Sequence, residues 1–143
     1  MRLEIVELFG ALVISDVYNA NPASMEEALK ELVRLKRKRT IAILGDMLEL
    51  GEYTEDAHND LIRRMSELGV EIFIAVGREM IRASHGFRGT FYQANDSDSA
   101  RSIFLSICKD GDTVLVKGSR GMYMERVLVA NSATVTREGN SFV

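Results

Sequence analysis

Short apolar runs alternate with amphipathic stretches along most of this chain. Four runs have almost no polar interruption, as is typical of parallel strands that are covered on both faces. They are residues 11–15, 40–44, 72–76 and 113–117, and residues 90–93 form a weaker run. Between them, apolar residues recur at spacings of three and four and predict helices. The predicted helices are Met25 to about Lys36, Thr54 or Glu55 to Gly69, Arg78 to Ser84, and one capped by Asp96 or Ser97. Alternating strands and helices predict an α/β, three-layer, Rossmann-like domain with a mainly parallel sheet.

The two ends of the chain depart from this alternation. Residues 2–8 partly alternate and predict a strand, and Phe9-Gly10 then turns the chain into strand 11–15, which indicates an antiparallel hairpin at the sheet edge. At the other end, Gly118 to Gly121 is predicted to open a last helix, with Met124, Val127 and Leu128 facing inward. Residues 131–143 are polar, with an edge strand at 133–136 or a disordered tail as open alternatives. The predicted domain is therefore 1–130, followed by a tail at 131–143.

The stretch from Asp16 to Met25 is the most distinctive loop. Asp16 follows a buried strand, and Ser24 with Glu27 fits a capping box that starts the first helix. Pro22 biases Asn21 toward extended geometry, so the loop is expected to hold a definite shape. Open α/β sheets bind ligands beyond the carboxyl ends of their strands, so this is either a binding loop or a connector with ordinary Asn turn chemistry.

Composition narrows the class of protein. The 143 residues are 46% hydrophobic and 27% charged, with a net charge of −3, so no general basic field is present to attract nucleic acid. No apolar run reaches the roughly 20 residues of a membrane span, and no signal peptide is visible. The single Cys108 cannot form an internal disulfide. A soluble cytoplasmic protein without nucleic-acid or membrane partners is expected.

Several catalytic signatures do not occur. The sequence has no phosphate-binding loop of the Gly-x-x-x-x-Gly-Lys type, no Gly-x-Gly-x-x-Gly after a strand, and no zinc-type Cys/His spacing. Cys108 without a nearby His is a poor nucleophile. Asp46, Glu49 and Glu52, with His58 following, could be taken for metal ligands, but solvated or capping carboxylates are the favoured interpretation, and no metal site is predicted. This chain is not expected to bind and activate ATP alone.

Three motifs in order carry a resemblance to a known family. They are residues 16–25 (DVYNANPASM), 44–52 (LGDMLELGE) and 116–122 (VKGSRGM). Together they are similar to the C-terminal domain of the Mur ligases, and most similar to the members that add D-Ala-D-Ala to UDP-N-acetylmuramoyl-tripeptide in peptidoglycan synthesis. The resemblance covers about residues 2–129.

The resemblance implies an ATP-dependent, amide-forming ligase. In the family, ATP and Mg²⁺ serve a central domain, the precursor carboxylate becomes an acyl phosphate, and the incoming amine attacks it to give the amide, ADP and phosphate. D-Ala-D-Ala and UDP-N-acetylmuramoyl-tripeptide would be the substrates, and the N-terminal and central domains would be the partners. The C-terminal domain would present the dipeptide and close on the nucleotide. The isolated domain would be inactive, would bind both ligands weakly and would carry no bound cofactor.

The same resemblance assigns site residues. Arg2 and Asp16 correspond to family positions that contact the nucleotide on closure and are predicted to be catalytic, since a guanidinium can neutralise developing phosphate charge. Nucleotide-binding residues are predicted to be Asp16, Tyr18, Asn19 and Asn21. Substrate-binding residues are predicted to be Asp46, Lys117, Ser119 and Arg120. Without the family, a Ser119 that only caps a helix would be the favoured interpretation.

Three other functions remain open from the sequence. The chain could be a stand-alone nucleotide-binding module, such as a regulatory sensor. It could be a ligase domain of the same superfamily with a different amino-acid substrate, although the motif from Lys117 to Arg120 resembles the dipeptide-adding version. It could also be a structural fragment whose polar loops have no role.

Overall fold

The computed structural model describes residues 3–129. The predicted catalytic Arg2 and the predicted tail at 131–143, including the edge strand considered at 133–136, lie outside the described residues. The strands are β1 Glu4–Leu8, β2 Ala11–Asp16, β3 Arg39–Gly45, β4 Ile72–Val76, β5 Thr90–Ala94 and β6 Asp112–Lys117. The α-helices are α1 Pro22–Arg34, α2 Thr54–Leu68, α3 Arg78–Ser84 and α4 Ser97–Ile107.

Within residues 3–129 the six strands form one sheet in the order β1-β2-β6-β3-β4-β5. β1 pairs antiparallel with β2, and the other neighbours pair parallel, so the predicted mainly parallel sheet with one antiparallel edge strand is confirmed. The last strand, β6, lies between β2 and β3. Its Lys117 is in register with Asp16 of β2 on one side and with Leu44 of β3 on the other. This insertion brings the carboxyl ends of three strands together.

Two apolar clusters cover the two faces of the sheet, which confirms the three layers. On one face, α1, α2 and α3 bury residues such as Leu29, Met65 and Met80 against the sheet. On the other face, Phe104 of α4 and Met124 beyond β6 pack against side chains such as Val114. Successive side chains of a strand point to opposite faces, so the central strands must be apolar throughout.

The first helix begins earlier than the sequence analysis predicted. Asn21, not Ser24, is the N-cap, and Pro22 occupies the first turn. The backbone N–H of Ser24 donates to Asn21 Oδ1 at 2.8 Å, and the N–H of Asn21 donates to Ser24 Oγ at 3.1 Å, so Ser24 closes the capping box from within the helix. The predicted pairing of Ser24 with Glu27 is therefore wrong. Proline is well suited to the first helical position, because the N–H it lacks would have no partner there.

The predicted helix after β6 is also wrong. Two short 3₁₀ turns, Arg120–Met122 and Met124–Leu128, take its place, and Tyr123 between them has a left-handed φ of 52°. A left-handed residue interrupts helical hydrogen bonding, so no α-helix N-terminus forms at Gly118 to Gly121. The predicted inward positions nevertheless hold, since Met124 and Val127 are buried.

Other predicted helix ends are confirmed. Gly69 ends α2 with a left-handed φ of 85°, and Asp96 caps α4 by accepting from the N–H of Ser99 at 2.8 Å. Cys108 lies half-buried directly after α4, and its burial raises the pKa of the thiol to about 11. The thiolate is therefore scarce at neutral pH, which fits the expectation of a poor nucleophile. No helix in residues 3–129 is long and apolar enough to cross a membrane.

The cap of α1 can be tested by substitution. Asn21→Ala should lower the free energy of unfolding by about 1 kcal/mol, because it removes an acceptor for an otherwise unpaired N–H at the helix start. Urea denaturation followed by circular dichroism would measure the change. Asn19→Ala is the matched control, since the Asn19 side chain is exposed and only its carbonyl is bonded. Equal stability of the two variants would contradict the assignment of Asn21 as the cap.

Candidate functional site

Three loops meet at the carboxyl edge of the sheet: the β2–α1 loop (residues 17–21), the β3–α2 loop (residues 46–53) and the β6 turn (residues 118–123). Gly45 and Gly118 allow two of them to approach closely. A Cβ added to Gly118 would lie 3.0 Å from the Cα of Gly45 and 2.7 Å from Cγ of Met124. Any larger residue at Gly118 would push the β6 turn away from β3, so this glycine is needed for the close contact.

A buried ion pair joins the first loop to the third. Lys117 is fully buried, and its Nζ donates to Asp16 Oδ2 at 2.8 Å and to the carbonyl of Asn19 at 2.7 Å. Asp16 is 6% exposed, and its Oδ1 accepts a long 3.4 Å hydrogen bond from the N–H of Tyr18. Asp16 was predicted to contact nucleotide, and Lys117 to bind substrate. In this arrangement both polar groups are bonded to each other and fix the path of the β2–α1 loop.

Ser119 joins all three loops. Its N–H donates to the carbonyl of Asp46 at 3.1 Å, and its Oγ accepts from the N–H of Leu48 at 2.8 Å. The same hydroxyl lies 3.5 Å from the carbonyl of Ala20. Ser119 makes no side-chain bond to the 3₁₀ turn that follows, so the interpretation that it only caps a helix is wrong.

Asp46, predicted to bind substrate, is largely buried and accepts hydrogen bonds from the protein. It is 6% exposed, and its Oδ1 accepts from the N–H of Met80 at 2.8 Å. α3 begins at Gly77, which has no side chain to cap it, so Asp46 supplies the acceptor from a neighbouring loop. Burial raises the pKa of the Asp46 carboxyl, while hydrogen bonds from the N–H groups of Met80 and Glu79 oppose part of that rise.

His58 holds the β3–α2 loop from inside α2, a role that the sequence analysis missed. Its Nε2 accepts from the N–H of Met47 at 3.0 Å, and its Nδ1 lies 2.6 Å from the carbonyl of Thr54. A carbonyl only accepts, so Nδ1 carries the proton and the buried ring is neutral. Met47 is buried beneath the loop, while Leu48 beside it is 41% exposed. His58 bonds to Met47 on one side of its ring and to Thr54 on the other, and no motif in the sequence indicates this contact.

Three of the predicted site residues face solvent at this edge. Tyr18 is 45% exposed, and Asn19 and Arg120 are also exposed. The guanidinium carbon of Arg120 lies 5.3 Å from the centroid of the Tyr18 ring. Among residues 3–129, no acidic side chain forms an ion pair with Arg120. Within these residues, no carboxylate competes with an anionic ligand for the guanidinium.

The structure thus brings the predicted site residues within 3–129 to one edge of the sheet, where some are exposed and others are buried. Seven lie at one edge of the sheet, and they are Asp16, Tyr18, Asn19, Asp46, Lys117, Ser119 and Arg120. Asn21 lies at the same edge, but its side chain is the N-cap of α1. The exposed residues form a surface with a cation and an aromatic ring, and the buried ones hold its loops. In the described part of the chain, no group of three or more His, Cys, Asp or Glu side chains is placed to hold a metal ion.

These features define an α/β domain with a polar, ligand-accessible edge beyond the carboxyl ends of its central strands. Residues 1–120 match the family described as the Mur ligase, glutamate ligase domain. The chain belongs to this family, as the resemblance indicated.

Curated relatives agree with this assignment. The UDP-N-acetylmuramoyl-tripeptide–D-alanyl-D-alanine ligase of Bacillus subtilis is 34% identical over 143 aligned positions, which cover 90% of this chain and 30% of that protein. The enzyme of the same name from Escherichia coli is 31% identical over 83% of this chain and 26% of its own length. This chain therefore spans about 30% or less of these relatives.

Solved structures share the fold. The MurF ligase of Thermotoga maritima, in complex with ADP, superimposes with a TM-score of 0.73 at 27% identity and covers 87% of this chain and 28% of its own. A MurF from Acinetobacter baumannii gives a TM-score of 0.77 at 29% identity, with coverages of 89% and 28%. A domain from a putative UDP-N-acetylmuramate:L-alanyl-γ-D-glutamyl-meso-diaminopimelate ligase of Haemophilus ducreyi is covered to 98%, at a TM-score of 0.60 and 15% identity, and shares the fold only.

The buried ion pair predicts an asymmetric response to mutation. Lys117→Met should lower the free energy of unfolding by about 3–5 kcal/mol, because Asp16 would be left buried without a counter-charge. The double variant Asp16→Asn with Lys117→Met should be more stable than Lys117→Met alone. Chemical denaturation measures both, with Lys109→Met, at an exposed lysine, as the control. A double variant no more stable than the single one would contradict this account.

The raised pKa of Asp46 predicts a pH dependence. The folded protein holds the proton of Asp46 more tightly than the unfolded chain does, so this group's contribution to stability falls as pH rises above the ordinary value of 3.8. Asp46→Asn keeps an acceptor for the N–H of Met80 but has no carboxyl group that titrates. Its stability relative to the wild-type chain should therefore increase from acid to neutral pH, as measured by urea denaturation at each pH. A difference that stays constant across this pH range would contradict the prediction.

Proposed function

We propose that this chain provides the C-terminal domain of an ATP-dependent ligase that adds D-Ala-D-Ala to UDP-N-acetylmuramoyl-tripeptide in peptidoglycan synthesis. The observation that carries the proposal is the edge of the sheet where three loops converge and present Arg120, without an acidic partner in residues 3–129, beside Tyr18 and Asn19. Family membership and the names of the curated relatives support the same reaction. A cytoplasmic location remains part of the prediction.

Arg120 is proposed to bind the carboxylate of D-Ala-D-Ala. A guanidinium presents paired N–H donors that match the two oxygens of a carboxylate, and such charge-assisted pairs are among the stronger hydrogen bonds. With the carboxylate bound at this position, the amine at the other end of the dipeptide would lie away from Arg120. The buried residues Lys117 and Ser119 fix the turn that carries Arg120 and would not touch the dipeptide themselves.

The nucleotide is proposed to approach the same edge from the side of Asn19. When bound, ATP supplies the phosphoryl group that activates the precursor carboxylate. Asp16 could accept from a ribose hydroxyl only through Oδ1, since Oδ2 is bonded to Lys117. Mg²⁺ is proposed to bind with ATP in the rest of the enzyme. Arg2 keeps its predicted role at the nucleotide.

Ligand titration of this chain tests the two contacts separately. The backbone amide signals of an isotope-labelled chain would be followed by NMR during addition of D-Ala-D-Ala and, in a second sample, of ATP. Shifts at Gly118 to Arg120 with the dipeptide, and at Tyr18 and Asn19 with ATP, are expected. Shifts confined to other faces of the sheet would contradict the assignment. The chain alone is expected to show no ATP turnover.

Turnover requires the other domains and tests Arg120 directly. We would replace the C-terminal domain of the Bacillus subtilis relative with this chain and measure ligation kinetics. Arg120→Gln should raise the KM for D-Ala-D-Ala roughly 10- to 100-fold, because hydrogen bonds to charged groups contribute about 1.5–3 kcal/mol. Arg126→Gln is the matched control. Arg126 also lies over a tyrosine ring, that of Tyr123, but it follows the β6 turn and is not part of the proposed site. An unchanged KM in Arg120→Gln would contradict the role.

A further inference from the structure

Arg120 and Tyr18 come from opposite ends of the chain and meet only because β6 lies beside β2. Tyr18 follows β2, and Arg120 follows β6 in the adjacent loop. The 5.3 Å from the guanidinium carbon to the ring centroid is within the range of a cation–π contact. Both side chains are exposed, so apolar burial does not force them together.

We infer that Tyr18 is a positioning residue for Arg120: its ring holds the guanidinium in the orientation that receives the carboxylate of an amino-acid or dipeptide ligand. The inference rests on the proposed function, which takes Arg120 as the carboxylate-binding group. It changes the role predicted for Tyr18 from a contact with the nucleotide to a contact with the residue that binds the other substrate.

A guanidinium that lies over an aromatic ring has the properties that this role requires. A guanidinium that lies on an aromatic ring uses its face, and its N–H donors remain in its own plane and available to a carboxylate. A free arginine side chain loses rotamer entropy when it binds, and prior contact with the ring removes part of that loss. The ring therefore increases affinity without touching the ligand.

The backbone beneath each side chain is held by bonds already described. On the side of Tyr18, its N–H donates to Asp16, which Lys117 fixes in turn. On the side of Arg120, the preceding Ser119 is bonded to the β3–α2 loop, and the carbonyl of Arg120 accepts from the N–H of Tyr123 at 3.1 Å. The ring and the guanidinium are therefore presented by two anchored loops and do not meet through flexible segments.

The chain contains a matched comparison. Arg126 lies over the Tyr123 ring with its guanidinium carbon 4.8 Å from the centroid, but these two residues are three positions apart in one turn. Removal of the Tyr123 ring therefore measures the general effect on the chain of losing an exposed Arg–Tyr contact. Of these two pairs, that of Arg120 and Tyr18 spans two loops of the candidate site.

The test measures D-Ala-D-Ala affinity by NMR titration of the 143-residue chain, observing the side-chain Nε–H signal of Arg120. Tyr18→Leu removes the ring and should weaken binding roughly two- to fivefold, the range that corresponds to a cation–π contact at an exposed site. Tyr18→Phe retains the ring and should bind within about twofold of the wild-type chain. Tyr123→Leu, which removes the other ring, should leave the affinity unchanged. Circular dichroism of each variant would verify that the fold is kept.

A cycle with Arg120→Gln separates positioning from a general effect. Tyr18→Leu should have no further effect on affinity in the Arg120→Gln background, because the ring acts through the guanidinium. In the chimeric ligase, Tyr18→Leu should raise the KM for D-Ala-D-Ala with little change in the KM for ATP.

Each other outcome overturns the inference. Tighter dipeptide binding by Tyr18→Leu would show that the ring competes with the carboxylate for Arg120. Equal binding by the wild-type chain and Tyr18→Leu, or a selective rise in the KM for ATP, would return Tyr18 to a different role and leave the proposed function intact. If D-Ala-D-Ala does not perturb Arg120 in the wild-type chain and Arg120→Gln leaves turnover of the chimera unchanged, the proposed carboxylate site fails, and the role of Tyr18 fails with it.

Discussion

The ion pair between Lys117 and Asp16 is the interaction on which the candidate site depends. A lysine with no exposed surface must find partners inside the protein, and here they are a carboxylate and a backbone carbonyl of one loop. A buried ion pair adds little net stability over an apolar pair of the same size. It does penalise every arrangement in which one of the charges loses its partner. Lys117 therefore selects one path for the β2–α1 loop, and that path determines where Tyr18 and Asn19 are presented.

The other two loops are held by a different principle, the satisfaction of backbone groups by side chains from distant parts of the chain. Ser119 accepts from Leu48, Asp46 accepts from Met80, and His58 accepts from Met47. The bonds to Met80 and Met47 satisfy buried N–H groups, so loss of either acceptor would carry the desolvation penalty of an unpaired donor. The bond from Leu48 to Ser119 is partly buried. The result is a rigid base of buried polar residues under a small exposed surface. This division explains why residues from one motif have different tasks: Lys117 and Ser119 support the turn, while Arg120 next to them faces solvent.

The sequence predicted helix ends correctly where one residue within a single turn determines the end. It predicted them wrongly where one segment is compatible with two local structures. Gly69 and Asp96 act within a single turn, and both were identified from the sequence. At the start of α1, Ser24 and Glu27 were predicted to form the cap, but Asn21 followed by Pro22 forms it three residues earlier. After β6, the spacing of Met124 and Val127 indicated a helix. The left-handed Tyr123 breaks it into two 3₁₀ turns that still place both side chains in the core.

The sequence by itself determined the fold class and the strands, because continuous apolar runs between amphipathic helices can be buried only in a layered, mainly parallel sheet. It also determined the family, through three motifs whose order and spacing are visible without any structure. Only the tertiary structure decided which motif residues are buried and bonded to one another and which face solvent. The insertion of β6 between β2 and β3 places Lys117 against Asp16, which lie 101 positions apart in the chain. Pairing over that distance depends on strand order, which local propensity and periodicity do not determine. The buried supporting residues and the exposed pair of Tyr18 and Arg120 could therefore be distinguished only in the folded chain.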